Sequence, residues 1–288
     1  MPIYDVSEPI DVDIELGVGF VEVIASDRTD AVVGVSPSKP GRSGDVSLAR
    51  EAVVSFEAGR LRISVPRRLN LFGQSDSVDV RVELPTGSRL AVQTAYGSVR
   101  ARGALGDCRI TAKYGNVSAD TVGDLVLDSP HGTIDIAEVT GRLDAASGHG
   151  NVRIGRIDGE AHIRGSHGTI EVGTTVGDVE VATSGPLTID RALGDVTARS
   201  AHGAIRIREV TGGSIRLENG YADVEVGVPA GVAAWIDAAS AHGNVRNELT
   251  PDPDAATSQK SVELRLRANW ADVTIRRATS AYGTGGST

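Results

Sequence analysis

Aromatic residues are nearly missing from this chain: three Phe, five Tyr and two Trp, 3% of 288 residues. Folded cores ordinarily take much of their bulk from such rings. A core formed here is therefore thin, and filled by Val, Ile, Leu and Ala. Cysteine is scarcer still. Cys108 stands alone, which excludes an intrachain disulfide framework and a thiolate zinc cluster. Basic residues are in deficit, 29 Lys plus Arg against 38 Asp plus Glu, for a formal charge of −9. An acidic chain is repelled by phosphate backbones, so nucleic acid is not an expected partner. No apolar run reaches the roughly 18 residues of a membrane-spanning helix, so membrane insertion is not expected either. The opening "MPIYDVSEPIDVDIEL" has neither the basic n-region nor the apolar h-region of a secretory signal, and a cytoplasmic location is the expectation. No Gly-x-Ser-x-Gly elbow occurs, so no hydrolase triad is supported.

Glycine, by contrast, is abundant at 35 residues. Without a Gly-X-Y period or a proline bias, this content points to many tight turns. The turns recur. "SPHGTIDI", "SGHGNVRI", "GSHGTIEV" and "SAHGAIRI" follow one another about every eighteen residues. Aligned on the ring that precedes the glycine, the recurring position reads Tyr96, Tyr114, His131, His149, His167, Gly185, His202, Tyr221 and His242.

Apolar columns run through the same repeat. One reads Val99, Val117, Ile134, Val152, Ile170, Leu187, Ile205, Val224 and Val245; a second, two residues on, begins Ala101, Ala119, Ile136, Ile154. A third edge supplies Cys108, Leu125, Leu143, Ala161, Val179 and Val196. Alternate inward residues on short strands, repeated at one spacing, mean stacked coils that bury their apolar faces only against neighbours. The expected fold is all-β: a single-stranded triangular β-solenoid, or β-helix, of about 18 residues per coil, with three edges of six. The outward column Arg100, Ser118, Asp135, Arg153, Glu171, Thr188, Arg206, Glu225, Arg246 mostly alternates in sign, which penalises a slip in register.

The ends depart from the repeat. Residues 1–94 contain alternating segments such as "IDVDIEL", "GFVEVIA" and "VDVRVEL", separated by "SPSKPGRSGD" and "PRRLNLFGQSD", which read as loops. They are expected to form an irregular β segment and N-terminal cap, with a separate small sandwich as the rival. Regular coils are expected over 95–248, a polar loop ("LTPDPDAATSQKS") and closing strands over 249–280, and a disordered tail over 281–288.

With "SEPIDVDIELGVGFVEVIASDRTD", the recurrent G-x-V-x-V…V-G-D units and "AAWIDAASAHGNVRNEL", the chain resembles a bacterial family of β-strand-repeat proteins of unknown function, provisionally labelled adhesins, in its actinobacterial branch. The resemblance covers nearly the whole length. It implies a β-solenoid and carries no established activity and no catalytic residues. Bactofilins are similar only in coil size and triangular form.

Three candidate chemistries sit on the repeat. His131, His149 and His167 should stack along one corner, where their nitrogens could approach a zinc or copper ion; the plainer reading is a turn position that accepts any ring, because tyrosines share it. Asp107, Asp124, Asp178 and Asp195, with Glu160, follow corner glycines. Stacked carboxylates could hold calcium or serve as an acid/base pair on a polysaccharide, but Arg142 interrupts the column and Gly-Asp is an ordinary turn dipeptide. Thr133, Asn151 and Thr169 form an outward row beside a charged column, which argues against an ice-binding array. Cys108 fills a core column, and His162 lies on a charged, solvated face. The reading that emerges is non-enzymatic: a rigid scaffold or protein-interaction module, needing no cofactor, whose partner is a protein. The alternatives are a self-assembling, bactofilin-like filament and a carbohydrate-binding or carbohydrate-active solenoid.

Overall fold

The computed structural model describes residues 2–67, 75–250 and 260–278. The chain divides into two compact units, Met1–Gly155 and Arg156–Thr288. Both are parallel β-solenoids.

In the first unit, Cys108–Tyr114, Leu125–His131 and Leu143–His149 pair in parallel with Cys108, Leu125 and Leu143 in register. Val117–Val122 and Ile134–Val139 pair likewise. Each coil thus has two strands rather than three equal edges. The second strand bends: Ile134 and Ile136 are buried, Ala137 and Glu138 both turn outward, and Val139 is buried again. Two successive outward residues break the period of two and turn the chain.

The first 94 residues lack the repeat's spacing, yet they supply two coils in full register. Asp11–Ser26 pairs in parallel with Arg89–Ala104 on one side. On the other side it pairs with Arg60–Ser64 and Val78–Pro85. Column by column, Val80, Val21, Val99, Val117 and Ile134 are stacked and buried. This segment is continuous with the solenoid and is not a separate sandwich. The first long strand of the sequence therefore lies one place in from the end of the stack.

That end is closed by antiparallel pairs: Val53–Glu57 on Arg60–Ser64, and Asp30–Pro37 on Val78–Pro85. Ser43–Glu51 forms a helix, where the end of "SPSKPGRSGD" reads as loop. Its nine residues carry no side-chain N-cap and only Asp45 and Leu48 are buried. Tertiary contacts hold it: the Asp45 carboxylate accepts from the backbone N–H groups of Lys39 and Ser77, each at 3.1 Å. The other expected loop, "PRRLNLFGQSD", lies mostly outside the described residues.

The second unit stacks Ala161–His167, Val179–Thr183, Val196–Ser200 and Gly213–Asn219 in parallel. Beside them stack Ile170–Thr175, Leu187–Ala192, Ile205–Val210 and Val224–Val228. The last segment then inserts itself. Ser261–Ala268 lies between Gly213–Asn219 and Ala233–Ser240, and Val273–Arg277 lies between Val224–Val228 and Val245–Asn247. In each unit, then, order along the chain and order in the stack part company at the outermost coil. The expected core column is corrected accordingly: Val273 follows Val224 and is fully buried, whereas Val245 is 44% exposed. The outward column changes with it. Arg206 pairs with Glu225 at 2.7 Å, but Thr274 separates Glu225 from Arg246, and Arg246 pairs with Asp272 at 3.1 Å. Most of the polar loop and the tail lie outside the described residues.

Cys108 is a core filler, 4% exposed. Burial, then the neighbouring Asp107 charge, pushes its thiol up to about 12, which leaves it inert as a nucleophile near neutral pH.

Candidate functional site

The recurring corner is built from the inside outward. A small or polar side chain sits beneath it: Ser129 and Ser147 in the first unit, Ser200 and Asn219 in the second, all buried. Two residues on comes the ring, and then a glycine, replaced by Ala222 after Tyr221. The glycine is dictated by contact with the adjacent coil more than by dihedral angle. A Cβ on Gly97, Gly132 or Gly150 would lie 2.0–2.1 Å from the carbonyl oxygen of the equivalent glycine one coil back. Of these three only Gly132 has a positive φ, at 146°, so freedom of φ explains only part of the column.

The ring column is interrupted at Gly185. Gly165 opposes Thr183 and Thr183 opposes Ser200, which sets Gly185 level with His167 and His202; past the corner Ile170 opposes Leu187, so this coil is one residue shorter there and carries no ring.

The rings stack. In the first unit, Tyr96 lies on Tyr114 at 4.8 Å between centroids, Tyr114 on His131 at 4.6 Å, and His131 on His149 at 5.2 Å. Interplanar angles are 8° or less. Tyr96 is 56% and Tyr114 47% exposed. The strand spacing of about 4.8 Å sets the repeat, so faces turn to each other while hydroxyl and imidazole edges point outward. In the second unit His202 stacks on Tyr221 at 5.2 Å and His242 on Trp270 at 3.9 Å. Sequence spacing missed Trp270 because the inserted strand brings it there. A signal was present: "ENGYADVEV" and "RANWADVTI" align Tyr221 with Trp270.

Of the three candidate metal ligands, the structure brings His131 and His149 together and places His167 at the end of Ala161–His167 in the second unit. Imidazole lone pairs lie in the ring plane. In a parallel stack they run side by side, whereas ligands at about 2.0–2.1 Å from one zinc ion must converge on it. Among the described residues no three His, Cys, Asp or Glu side chains form a metal-sized group. Zinc titration of the wild type and of a His131→Asn/His149→Asn variant should give the same isotherm by calorimetry. A saturable step lost in the variant would reinstate a metal role.

The corner carboxylates are engaged with backbone. Asp124 accepts from the N–H of Arg142 at 2.7 Å, Asp195 from that of Ser214 at 2.8 Å, and Asp107 and Asp178 from Asp124 and Asp195 at 3.2 and 3.1 Å. Each caps the coil that follows, which is turn duty extended between coils. Glu160 instead faces His162 at 3.3 Å, with Glu180 at 3.3 Å on the other ring nitrogen.

Asp272 caps Asn244 at 2.8 Å. That backbone hydrogen bond, followed by the charge of Arg246, holds its carboxyl below the usual 3.8. A depressed folded value stabilises above the unfolded value and is lost as pH falls through the folded one. Amide exchange at Asn244 should therefore stay protected at pH 5 and accelerate only below about 3.8. Asp272→Asn, which keeps an acceptor but cannot titrate, should remove that acid step; a step unchanged in the variant would assign it elsewhere.

No protein-family model and no curated protein matches the sequence. Among solved structures, the chain is similar to a protein from Bacteroides fragilis NCTC 9343 provisionally described as an adhesin, with 13% identity over 95% of each chain and a TM-score of 0.37. A provisionally described lipid-binding protein from Parabacteroides distasonis ATCC 8503 shares 13% identity over 96% of each chain, TM-score 0.33. A provisionally described cell adhesion protein from Clostridium sporogenes ATCC 15579 shares 13%, over 96% of this chain and 98% of that one, TM-score 0.24. Adhesin-type descriptions are what the repeats resemble. Likeness at this level says nothing about what this chain binds.

Proposed function

We propose that the protein is a non-enzymatic, rigid scaffold that presents its ring-bearing corner to a protein partner. One observation carries this reading: rings that a core would normally absorb are stacked on the outside, half-exposed, at a repeat fixed by the backbone. Stacked rings keep few rotamers, so little side-chain entropy remains to be lost on binding. Aromatic side chains with polar edges are the commonest anchors of protein interfaces. The corner carboxylates, which a catalytic reading would need, are taken up as caps. End-to-end filament assembly has less support, because antiparallel strands close the N-terminal end of the first unit.

A photo-cross-linker at Thr133, beside the stack, tests the reading in native extract. We expect one protein to be captured at Thr133 and not at Arg109, with capture lost when Tyr96, Tyr114, His131 and His149 are all replaced by Ser. Equal capture at both positions, or capture indifferent to the rings, would remove the corner as the interface.

A further inference from the structure

The second unit ends on an unprotected strand edge. Among the described residues, Ala233–Ser240 pairs with Ser261–Ala268 on one side and with no strand on the other. Its sequence, AAWIDAAS, has no lysine and no proline, the residues that ordinarily keep such an edge from pairing. The inward side chains Ala234, Ile236 and Ala238 are partly exposed, whereas Val262, Leu264 and Leu266 opposite them are 2% exposed or less. Trp235 on this strand and Val245 in the same coil are exposed. We propose that the edge pairs with the same edge of a second copy, in a two-fold, antiparallel contact that makes the protein a dimer. The inference goes beyond the scaffold reading above and does not use the ring ladder.

The strand is complementary to itself. The N–H of Ala233 donates to the Lys260 carbonyl, and that of Ala241 to the Ala268 carbonyl, each at 3.1 Å. In a parallel ladder alternate residues bond to one side. Odd-numbered residues therefore bond to the stack, and Ala234, Ile236 and Ala238 turn their N–H and C=O groups to the open side. The same three residues carry the inward side chains. A two-fold axis at Ile236 satisfies both sets at once. It sets Ile236 against Ile236 and Ala234 against Ala238 as hydrogen-bonded antiparallel pairs, whose side chains share the core face. On the outer face Trp235 comes opposite Asp237, the strand's one charged residue, which Arg267 holds at 2.6 Å. No like charges meet across the axis. Head-to-tail growth lacks this match, because antiparallel strands interrupt the parallel stack at the N-terminal end of the first unit. An isologous contact closes at two copies. Residues 233–247 are fewer than the ~20–30 a side of a standard interface, so the dimer is weak, with a micromolar dissociation constant.

Sedimentation of the full chain across the micromolar range should show a monomer passing to a dimer and to nothing larger. Ala238→Pro removes an N–H on the open side only and should weaken association roughly tenfold or more. Ala234→Lys, which sets a charge against the apolar face, should do the same if the proline disturbs folding. Ile236→Cys reads the register. Paired Cα atoms about 5.5 Å apart are within disulfide reach, so mild oxidation should yield a covalent dimer. Ala239→Cys, which the axis carries toward the far end of the strand, should yield none. The native Cys108 is buried and does not interfere. A monomer at every concentration would overturn the inference, as would a dimer that both edge variants leave intact, or oligomers that grow without closing. A monomer whose 233–240 amides resist hydrogen exchange would mean that the chain covers this edge itself, and would overturn it equally.

Discussion

Removal of residues 260–288 should cost the second unit its last two coils. The deleted stretch carries Val262, Leu264, Leu266, Val273 and Ile275, all 2% exposed or less. At ~1.5–3 kcal/mol for each buried aliphatic side chain, their loss rivals the ~5–15 kcal/mol that holds a whole domain together. Among the described residues, the strands Ala233–Ser240 and Val245–Asn247 pair with the stack through this inserted segment. Hydrogen exchange should accordingly show their amides unprotected in the truncated protein, while Val179–Thr183 and Leu187–Ala192 keep their protection, because repeat stability is largely nearest-neighbour. One competing outcome is specific: 233–247 could dock directly on 213–228, as chain order alone suggests. Protected amides over 233–247 and an unchanged melting temperature in the truncated protein would establish that, and the insertion would then be dispensable.

The second large effect concerns the corner glycines. Gly150→Ala and Gly132→Ala should each destabilise the first unit by more than ~2 kcal/mol, in the range typical of overpacking and backbone strain, measured by chemical denaturation. Gly150 isolates the cause. Its φ is unexceptional, but an added Cβ would fall 2.0 Å from the Gly132 carbonyl oxygen. Gly132 combines a 2.1 Å approach to the Gly115 oxygen with a φ of 146°, so it should suffer more. Gly41→Ala, with no atom within 4 Å, serves as the control and should change stability by less than ~0.5 kcal/mol. Tolerance of Gly150→Ala beside failure of Gly132→Ala would mean that dihedral angle, and not the passing carbonyl, selects glycine at this corner.

Both predictions turn on contacts between coils, and these divide what could be read from the residues from what could not. The spacing of His131, His149 and their neighbours was enough to derive stacked coils, the buried columns of Ile134 and Ile136 and the outward ring. In a solenoid the same side chain meets its own counterpart one coil away, so periodicity along the chain is already geometry in space. The bend at Ala137–Glu138 was not legible in the same way: the spacing led to three edges of six, whereas the folded strand turns where two successive residues face outward.

That equivalence fails wherever the chain leaves and returns. The excursions over 27–59 and 65–77 destroy the spacing of the first 94 residues, although Val21 and Val80 extend the same column as Val99. Likewise, proximity along the chain makes Val245 the successor of Val224, whereas a strand twenty-eight residues later takes the place. Order in the stack is decided by which surfaces cover one another, a comparison among whole coils that no local pattern encodes. The ring column shows both sides at once: its existence belonged to the sequence, because each ring is followed by a residue small enough to pass the neighbouring coil. Its actual membership, with Trp270 added between Tyr221 and His242, belonged to the folded chain, because only pairing across coils decides which residues share a level.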